Sequence, residues 1–363
     1  MVSRRHAVFH ELEVADVERL TDDAVAIEFD VPADLAEEYR FTQGQHLTIR
    51  AAVDGEEVRR NYSLCASASS GRLRIAVKQL TGGSFSAYAV EYLAPGDTLE
   101  VMTPTGRFFT ELDREHAKHY GCIAAGSGIT PILSIVASAL ETEPRSRVTL
   151  IYANRTSKTV MFLDDLADLK DRYPERLHLV HVLSREPREV ELFSGRLDGP
   201  RLRRLLDTVV PADSVDEWFL CGPYDMTDEL RATLKAAGVE RRRVHAELFH
   251  VDSMPRASRP PEPVATGADA EGADVTIVLD GRRSRFRLAG DGVPVLEAAL
   301  AVRGDAPYAC RGGVCGTCRA RLVEGSVRME QNWALEPDEV QRGYVLTCQS
   351  HPTSDTVVLD YDA

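Results

Sequence analysis

Cys310-Arg-Gly-Gly-Val-Cys315-Gly-Thr-Cys318, answered further on by Cys348 in Leu346-Thr-Cys-Gln349, decides how the rest of the chain is read. Three thiols separated by four and then two residues, with a distant fourth, have the spacing that holds a [2Fe–2S] cluster. Two ferric irons, two sulfides and four thiolates sum to a charge of about −2, so the enclosing loop must turn tightly and aim backbone N–H groups at sulfur. Gly312, Gly313 and Gly316 are expected to supply the positive φ angles and the close approach. A structural zinc would also take four cysteines, but usually as two C-x2-C-like pairs. The expected metal ligands are therefore Cys310, Cys315, Cys318 and Cys348, with zinc and disulfides as the alternatives.

A chain of 363 residues is too long for one ordinary core and predicts two or three domains. Hydrophobic residues at 44% and charged residues at 28% describe a globular protein. No apolar run could span a bilayer, and Met1-Val-Ser-Arg-Arg-His6 leads into an alternating strand pattern without a signal-peptide core, so a cytoplasmic location is expected. Of seven cysteines four belong to the cluster, and Cys65, Cys122 and Cys221 lie too far apart in sequence to suggest disulfides. A net charge of −14 argues against nucleic acid and suits docking on a basic face of another protein, although acidity is also common simply as a solubility feature.

Residues from about 7 to 112 read as all-β, with alternating runs at 8–14, 25–29, 46–50 and 73–77, and suggest a small antiparallel barrel. One helix is expected over 84–93, opened by Gly82-Gly83 and a capping serine. From about 118 strands and helices alternate. Strands at 119–125, 148–152, 177–183 and 217–220, with helices at 132–140, 160–173, 199–208 and 223–236, indicate a parallel sheet covered by helices. A stretch rich in Pro, Ala, Gly and Asp over 251–273 reads as a linker. Beyond it come a hairpin turning at Asp280-Gly281, a helix over 295–302 and the cysteine loop. The expected domains are 1–112, 113–250 and 274–363, joined by the linker.

A cluster passes one electron at a time, whereas NAD(P)H gives two together, so a flavin is expected to split the pair. Arg60-Asn-Tyr62-Ser63 offers a cation for phosphate, a ring for the flavin and a hydroxyl for its N5 side. Gly82, Gly83, Ser84, Phe85 and Ser86 offer a phosphate cradle at a helix N-terminus, and Val77 and Lys78 complete the expected flavin residues. Gly126, Ser127, Gly128, Ile129, Thr130 and Pro131 follow a strand and open a helix, the context of a pyrophosphate site, although proline stands where the G-x-G-x-x-G fingerprint has its third glycine. An unliganded strand-to-helix turn would look similar. Asn154, Arg155, Ser157 and Lys158 follow the next strand, where an adenosine ribose would lie. Their basic character favours NADPH through a 2′-phosphate, against a merely solvated charged loop.

Cys221, Gly222 and Pro223 end a strand at the carboxyl edge, where a small thiol can border the nicotinamide, a buried structural cysteine being the alternative. Glu247 and Phe249 in the closing strand are placed near the hydride path and over the flavin, though both also suit strand packing. Ser63, Cys221, Glu247 and Phe249 are thus the catalytic candidates. The ten histidines show no metal-ligand spacing, and no Ser-His-Asp constellation is evident.

With these motifs in this order, almost the whole chain resembles the ferredoxin–NADP reductase superfamily carrying a C-terminal plant-type ferredoxin. The stretches Val323-Glu-Gly325, Glu330-Gln-Asn-Trp-Ala-Leu335, Arg342-Gly-Tyr-Val-Leu346 and Cys348-Gln-Ser-His-Pro352, with Asn154-Arg-Thr156 and His245-Ala-Glu-Leu-Phe249, are similar to the reductase subunits of bacterial phenylacetyl-CoA epoxidases. The resemblance implies an antiparallel β-barrel for FAD rather than FMN, an α/β parallel-sheet NAD(P) domain and an α+β β-grasp ferredoxin domain. It further implies NADPH as donor and a diiron oxygenase as acceptor. Reductases with this domain order also serve steroid and other ring-attacking hydroxylases, several of which prefer NADH; an iron–sulfur sensor would need neither flavin nor NADPH sites. Arg311, Arg319 and Trp333 are expected on an exposed docking surface around the cluster.

Overall fold

The computed structural model describes residues 8–53, 55–250 and 272–363. Within them two compact units form, one holding Phe9–Val58 and 62–250, the other holding 272–363 with Val8 and Arg59–Asn61.

The larger unit begins with β1 (Phe9–Thr21), which turns Leu12 and Val14 inward between exposed neighbours, the period-two pattern of a half-buried strand. β2 (Ala24–Asp30), β3 (His46–Val53), β4 (Glu56–Ser63), β5 (Leu73–Lys78), helix α1 (Ser84–Glu91) and β6 (Thr98–Met102) follow. The sheet order is β4-β3-β6-β1-β2-β5, and the β1–β2, β1–β6, β3–β6 and β2–β5 pairings are antiparallel. Two register shifts between β1 and β2 bend the sheet. Leu64, one residue past β4, bridges Ile75 of β5, so the edge strands meet and the sheet curls into the expected barrel. Ile27, Leu47, Leu64, Ile75 and Phe85 fill its core. The helix expected to be capped by serine has Gly83 at its N-cap, and Ser84 is the first helical residue.

The same unit continues through β7 (His119–Ala125), α2 (Ile129–Thr142), β8 (Arg147–Asn154), α3 (Leu163–Arg172), β9 (Leu177–Leu183), α4 (Gly199–Thr208), β10 (Glu217–Pro223), α5 (Tyr224–Ala236) and β11 (Val244–His250). These strands form a sheet ordered β11-β10-β7-β8-β9, with every pairing parallel. β7 is buried over nearly its whole length, as a central strand covered on both faces must be. The winding runs from β7 out through β8 to β9, then returns to β10 and β11. Its direction therefore reverses between β7 and β10, and ligands of such sheets bind in the crevice outside the carboxyl ends at that reversal. Helix α2 starts at Ile129, three residues before the periodicity suggested, because Pro131 is accommodated in its first turn.

The smaller unit holds β12 (Ala273–Leu279), β13 (Arg282–Leu288), α6 (Val295–Val302), β14 (Arg319–Glu324), β15 (Val327–Met329), α7 (Pro337–Gln341), β16 (Tyr344–Leu346), β17 (Ser350–Pro352) and β18 (Thr356–Asp360). The mixed sheet β13-β12-β18-β14-β16, with β12 and β18 parallel, carries α6 across it in a β-grasp. Asp280 and Gly281 have φ of 55° and 66°, the mirror-image turn that a two-residue hairpin needs. The expected linker lies outside the described residues up to 271, and β12 already begins at Ala273. Among the described residues no helix is long and apolar enough to cross a membrane.

Candidate functional site

Arg60, Tyr62 and Ser63 lie along β4, with Arg60 exposed, Tyr62 half-buried and Ser63 buried. The Tyr62 ring sits 5.6 Å from that of Phe85, which ties β4 to the first turn of α1. Gly82, Gly83 and Ser84 there line a cavity of about 570 Å³ with Asp23, Gln79 and Leu80. No side chain caps α1, so its first amides remain available to an anion, as a pyrophosphate cradle requires. Ser86 is turned inward instead: its hydroxyl donates to the Gly83 carbonyl at 3.1 Å and accepts from the Leu80 amide at 3.1 Å, shaping the loop. Val77 is buried in the barrel core, so only its main chain can face a cofactor. The Lys78 ammonium lies 3.2 Å from the Asp23 carboxylate.

At the crevice, Gly126 takes a φ of 53° and its carbonyl accepts from the Tyr152 hydroxyl at 3.0 Å. Gly126 and Ser127 are partly open, whereas Gly128, Ile129, Thr130 and Pro131 are buried and build the turn. Gly128 packs directly on β10, and a β-carbon there would overlap the Cys221 carbonyl. The first glycine turn and the Cys221-Gly222 strand end are therefore one continuous wall, with Pro223 exposed at its rim.

Cys221 is paired in register with Glu247 of β11. Across from them, Ser63 Oγ donates to Glu247 Oε2 at 3.1 Å. Burial pushes the Glu247 carboxyl up to about 7, only partly countered by the Ser63 hydrogen bond. Burial, with the Glu247 charge behind it, pushes the Cys221 thiol well above its ordinary value, so Cys221 stands there as a neutral, polarisable wall rather than a nucleophile. Phe249, two residues along β11, packs against the cluster that contains Cys221. The fold thus gathers Ser63, Cys221 and Glu247 from two sheets.

Asn154 ends β8 with its side chain buried beside the Tyr152 hydroxyl at the crevice. Arg155, Ser157 and Lys158 are exposed on the following turn. Ser157 is already engaged: its amide and its hydroxyl both donate to Oε2 of Glu186, at 2.7 and 2.9 Å. Glu186 was not singled out from sequence, although Ser184-Arg-Glu-Pro187 stands where a binding loop belongs, just past β9 at the carboxyl edge of the sheet.

In the smaller unit the four cluster cysteines form two facing pairs, Cys310 with Cys315 and Cys318 with Cys348. The hydrogen bond from Cys315, with backbone amides of Gly312 and Val314, holds the Cys310 thiol below its ordinary value. The Gly312 amide lies 3.4 Å from Cys310 Sγ, Thr317 Oγ1 3.2 Å from Cys315 Sγ, and Gln349 Nε2 3.8 Å from Cys348 Sγ. Among the described residues no three His, Cys, Asp or Glu side chains converge on one ion position. Two thiol pairs fit two irons, each taking two thiolates. Positive φ falls on Arg311, Gly313 and Gly316; Gly312 instead supplies its N–H to sulfur. Arg311, Arg319 and Trp333, expected on an exposed docking surface, are half-buried, with Arg311 paired to Glu297 and over the Tyr308 ring and Arg319 paired to Glu339 and over the Tyr344 ring. The Trp333 amide donates to the Gly313 carbonyl.

Three family models cover most of the length: an oxidoreductase FAD-binding domain over residues 11–110, an oxidoreductase NAD-binding domain over 122–232, and a 2Fe-2S iron-sulfur cluster binding domain over 277–353. The chain is 47% identical over 355 residues to a 1,2-phenylacetyl-CoA epoxidase subunit of Escherichia coli (strain K12), covering 98% of each. It belongs to the family of FAD- and [2Fe–2S]-containing reductases. The reductase is also 35% identical over 353 residues to the ferredoxin reductase component of 3-ketosteroid-9-alpha-monooxygenase from Rhodococcus rhodochrous, covering 96% of each. Its fold matches phthalate dioxygenase reductase, a modular structure for electron transfer from pyridine nucleotides to [2Fe–2S], with a TM-score of 0.57 at 24% identity, over 97% of this chain and 98% of that one. FAD, NAD(P)H and a [2Fe–2S] cluster are the reductase's cofactors.

Proposed function

We propose that this reductase draws electrons from NADPH and delivers them, through FAD and the [2Fe–2S] cluster, to a diiron oxygenase, the phenylacetyl-CoA epoxidase of aerobic phenylacetate breakdown. The observation that carries the redox part is the meeting of Ser63, from the flavin strand, with Glu247 and Cys221 at the crevice of the nicotinamide sheet. Bound flavin would take electrons from NADPH as a hydride and release them singly.

In this reading Arg60, Tyr62, Gly82, Gly83 and Ser84 hold FAD, while Gly126 and Ser127 meet the dinucleotide pyrophosphate. The Gly128–Cys221 wall and Phe249 exclude water from the hydride path, and Ser63 and Glu247 hold one proton between them beside it. Positioning supplies the rate, because reacting atoms kept in contact avoid the entropic cost of encounter. Cys310, Cys315, Cys318 and Cys348 bind the cluster. Domains at 1–112, 113–250 and 274–363 with a linker over 251–273 belong to the same reading, as does a cytoplasmic location, which suits seven unpaired cysteines.

The likeness to the Escherichia coli epoxidase subunit over 98% of both chains supports the epoxidase as acceptor, and Arg155 and Lys158 support NADPH. The test is anaerobic titration with NADPH and NADH while flavin and cluster bleaching are followed separately, then reconstitution with candidate oxygenases. More efficient reduction by NADPH, and turnover with the epoxidase in preference to a steroid hydroxylase, are the expected results. More efficient reduction by NADH would overturn the donor assignment.

A further inference from the structure

We propose that Glu186 is a built-in anion occupying the place of the donor's 2′-phosphate, so that its displacement sets how far the reductase favours NADPH over NADH. This rests on the reading of Arg155, Ser157 and Lys158 as the adenosine-ribose site and adds a residue that opposes them.

The Ser157 turn is stiff. Thr156 and Thr159 cap one another, each amide reaching an oxygen of the other residue. The loop after β9 is stitched to it in register, the Ser184 amide donating to the Asn154 carbonyl at 2.9 Å and the Arg185 amide to the Arg155 carbonyl at 2.8 Å. Glu186 therefore arrives at Ser157 by the geometry of two joined loops. Both Ser157 donors then go to a single carboxylate oxygen. Those hydrogen bonds, the backbone one first, hold the Glu186 carboxyl below its ordinary range, so it is an anion at neutral pH.

Arg155, Lys158, Arg185 and Arg188 are exposed on the same two loops, which also carry Glu186 and Glu189, so cations outnumber acids there. A 2′-phosphate suits that surplus, since guanidinium groups and hydroxyls are its ordinary partners. It cannot share the Ser157 donors with a carboxylate, because two anions at one site repel. NADPH must therefore push Glu186 aside. NADH need not: its 2′-hydroxyl can donate to the carboxylate where it stands, as a ribose hydroxyl does to the acid of other dinucleotide sites, although here the acid comes from the loop after β9 rather than from the end of β8. The preference is the difference between these two arrangements, with the cations pulling one way and Glu186 the other.

Calorimetric titration of the holoenzyme with 2′,5′-ADP and with 5′-AMP, which differ only in the 2′-phosphate, tests this. Glu186→Gln should tighten 2′,5′-ADP by about tenfold, because the charge that repels the 2′-phosphate is gone while a neutral, readily displaced acceptor remains. Its binding of 5′-AMP should stay within about twofold or weaken, because only the ribose hydroxyl contact changes. Flavin absorbance of the variant reports that it is folded. Unchanged or weaker binding of 2′,5′-ADP by Glu186→Gln would overturn the role of Glu186. The underlying NADPH site is tested apart by Arg155→Ala, which should weaken 2′,5′-ADP in either background; no weakening would sink that site whatever Glu186 does.

Discussion

Ser63 Oγ and Glu247 Oε2 meet at 3.1 Å, joining the end of a barrel strand to the last strand of the parallel sheet. The two residues are 184 positions apart, so their contact exists only if both sheets are built and docked. It places a hydroxyl and a carboxyl that ionises near neutrality beside the thiol of Cys221. Ser63→Ala should retain FAD, since the other flavin contacts remain, yet slow reduction by NADPH by roughly tenfold to a hundredfold through lost positioning. Stopped-flow bleaching of the flavin reads the effect.

Glu247 also leaves a mark on stability. Its carboxyl stays protonated in the folded chain up to about pH 7, whereas the unfolded chain ionises it near the ordinary glutamate value. The folded state thus binds the extra proton between about pH 4.5 and 7, and stability from this group is present below that window and lost as pH rises through it. Flavin-free Glu247→Gln should match the parent near pH 4.5 and exceed it at pH 8 by roughly 1–3 kcal/mol. Thermal midpoints at both values check this, and an equal gap at both would contradict the buried-carboxyl account.

Gly128→Ala forces a β-carbon, fixed to its own backbone, into the main-chain carbonyl of Cys221, where neither side can swing away. The strain should cost about 1–3 kcal/mol. Parting the turn from β10 by about 1 Å should also slow flavin reduction by roughly a hundredfold. FAD content and the cluster spectrum should be unchanged.

Cys348→Ser removes one member of a thiol pair, so the variant should lose the visible absorption and the reduced-state EPR signal of the cluster. NADPH-dependent reduction of a small dye should persist because the flavin unit keeps all its groups, while oxygenase turnover should fall by at least about a hundredfold once the single-electron carrier is gone.

Arg74 is 5% exposed, bonds Glu18 and reaches Asp165 of α3 at 2.9 Å, with its guanidinium 5.2 Å from the Phe162 ring centroid. It fastens barrel to parallel sheet. Arg74→Met keeps the apolar stem and leaves two carboxylates that water can still reach, and should cost about 1 kcal/mol. The thermal midpoint of the holoenzyme measures it.

Much of this was legible beforehand because it is local. The Asp280-Gly281 hairpin follows from turn chemistry acting over two residues. The helix over 295–302 and the strands at 119–125 and 177–183 emerge with the bounds that hydrophobic periodicity suggests, since burial on one face dictates both. The positive φ at Arg311 was hidden, because a non-glycine residue takes that conformation only when the surrounding loop compels it. Likewise Ser86 and Arg319 carry the right chemistry for ligand or partner, but their neighbours, Leu80 and Glu339, claim them first.

By itself the amino-acid sequence determined the glycine turns, the order of the domains and the kinds of cofactor, and it supplied the four thiols proposed as cluster ligands, since each depends on residue type at short spacing. The tertiary structure alone decided which of these groups face one another. Ser63 meets Glu247, Gly128 seals against Cys221, and Glu186 takes the donors of Ser157, 29 positions away. Those meetings depend on strand order and on loops held in register by backbone hydrogen bonds, and no local pattern encodes either.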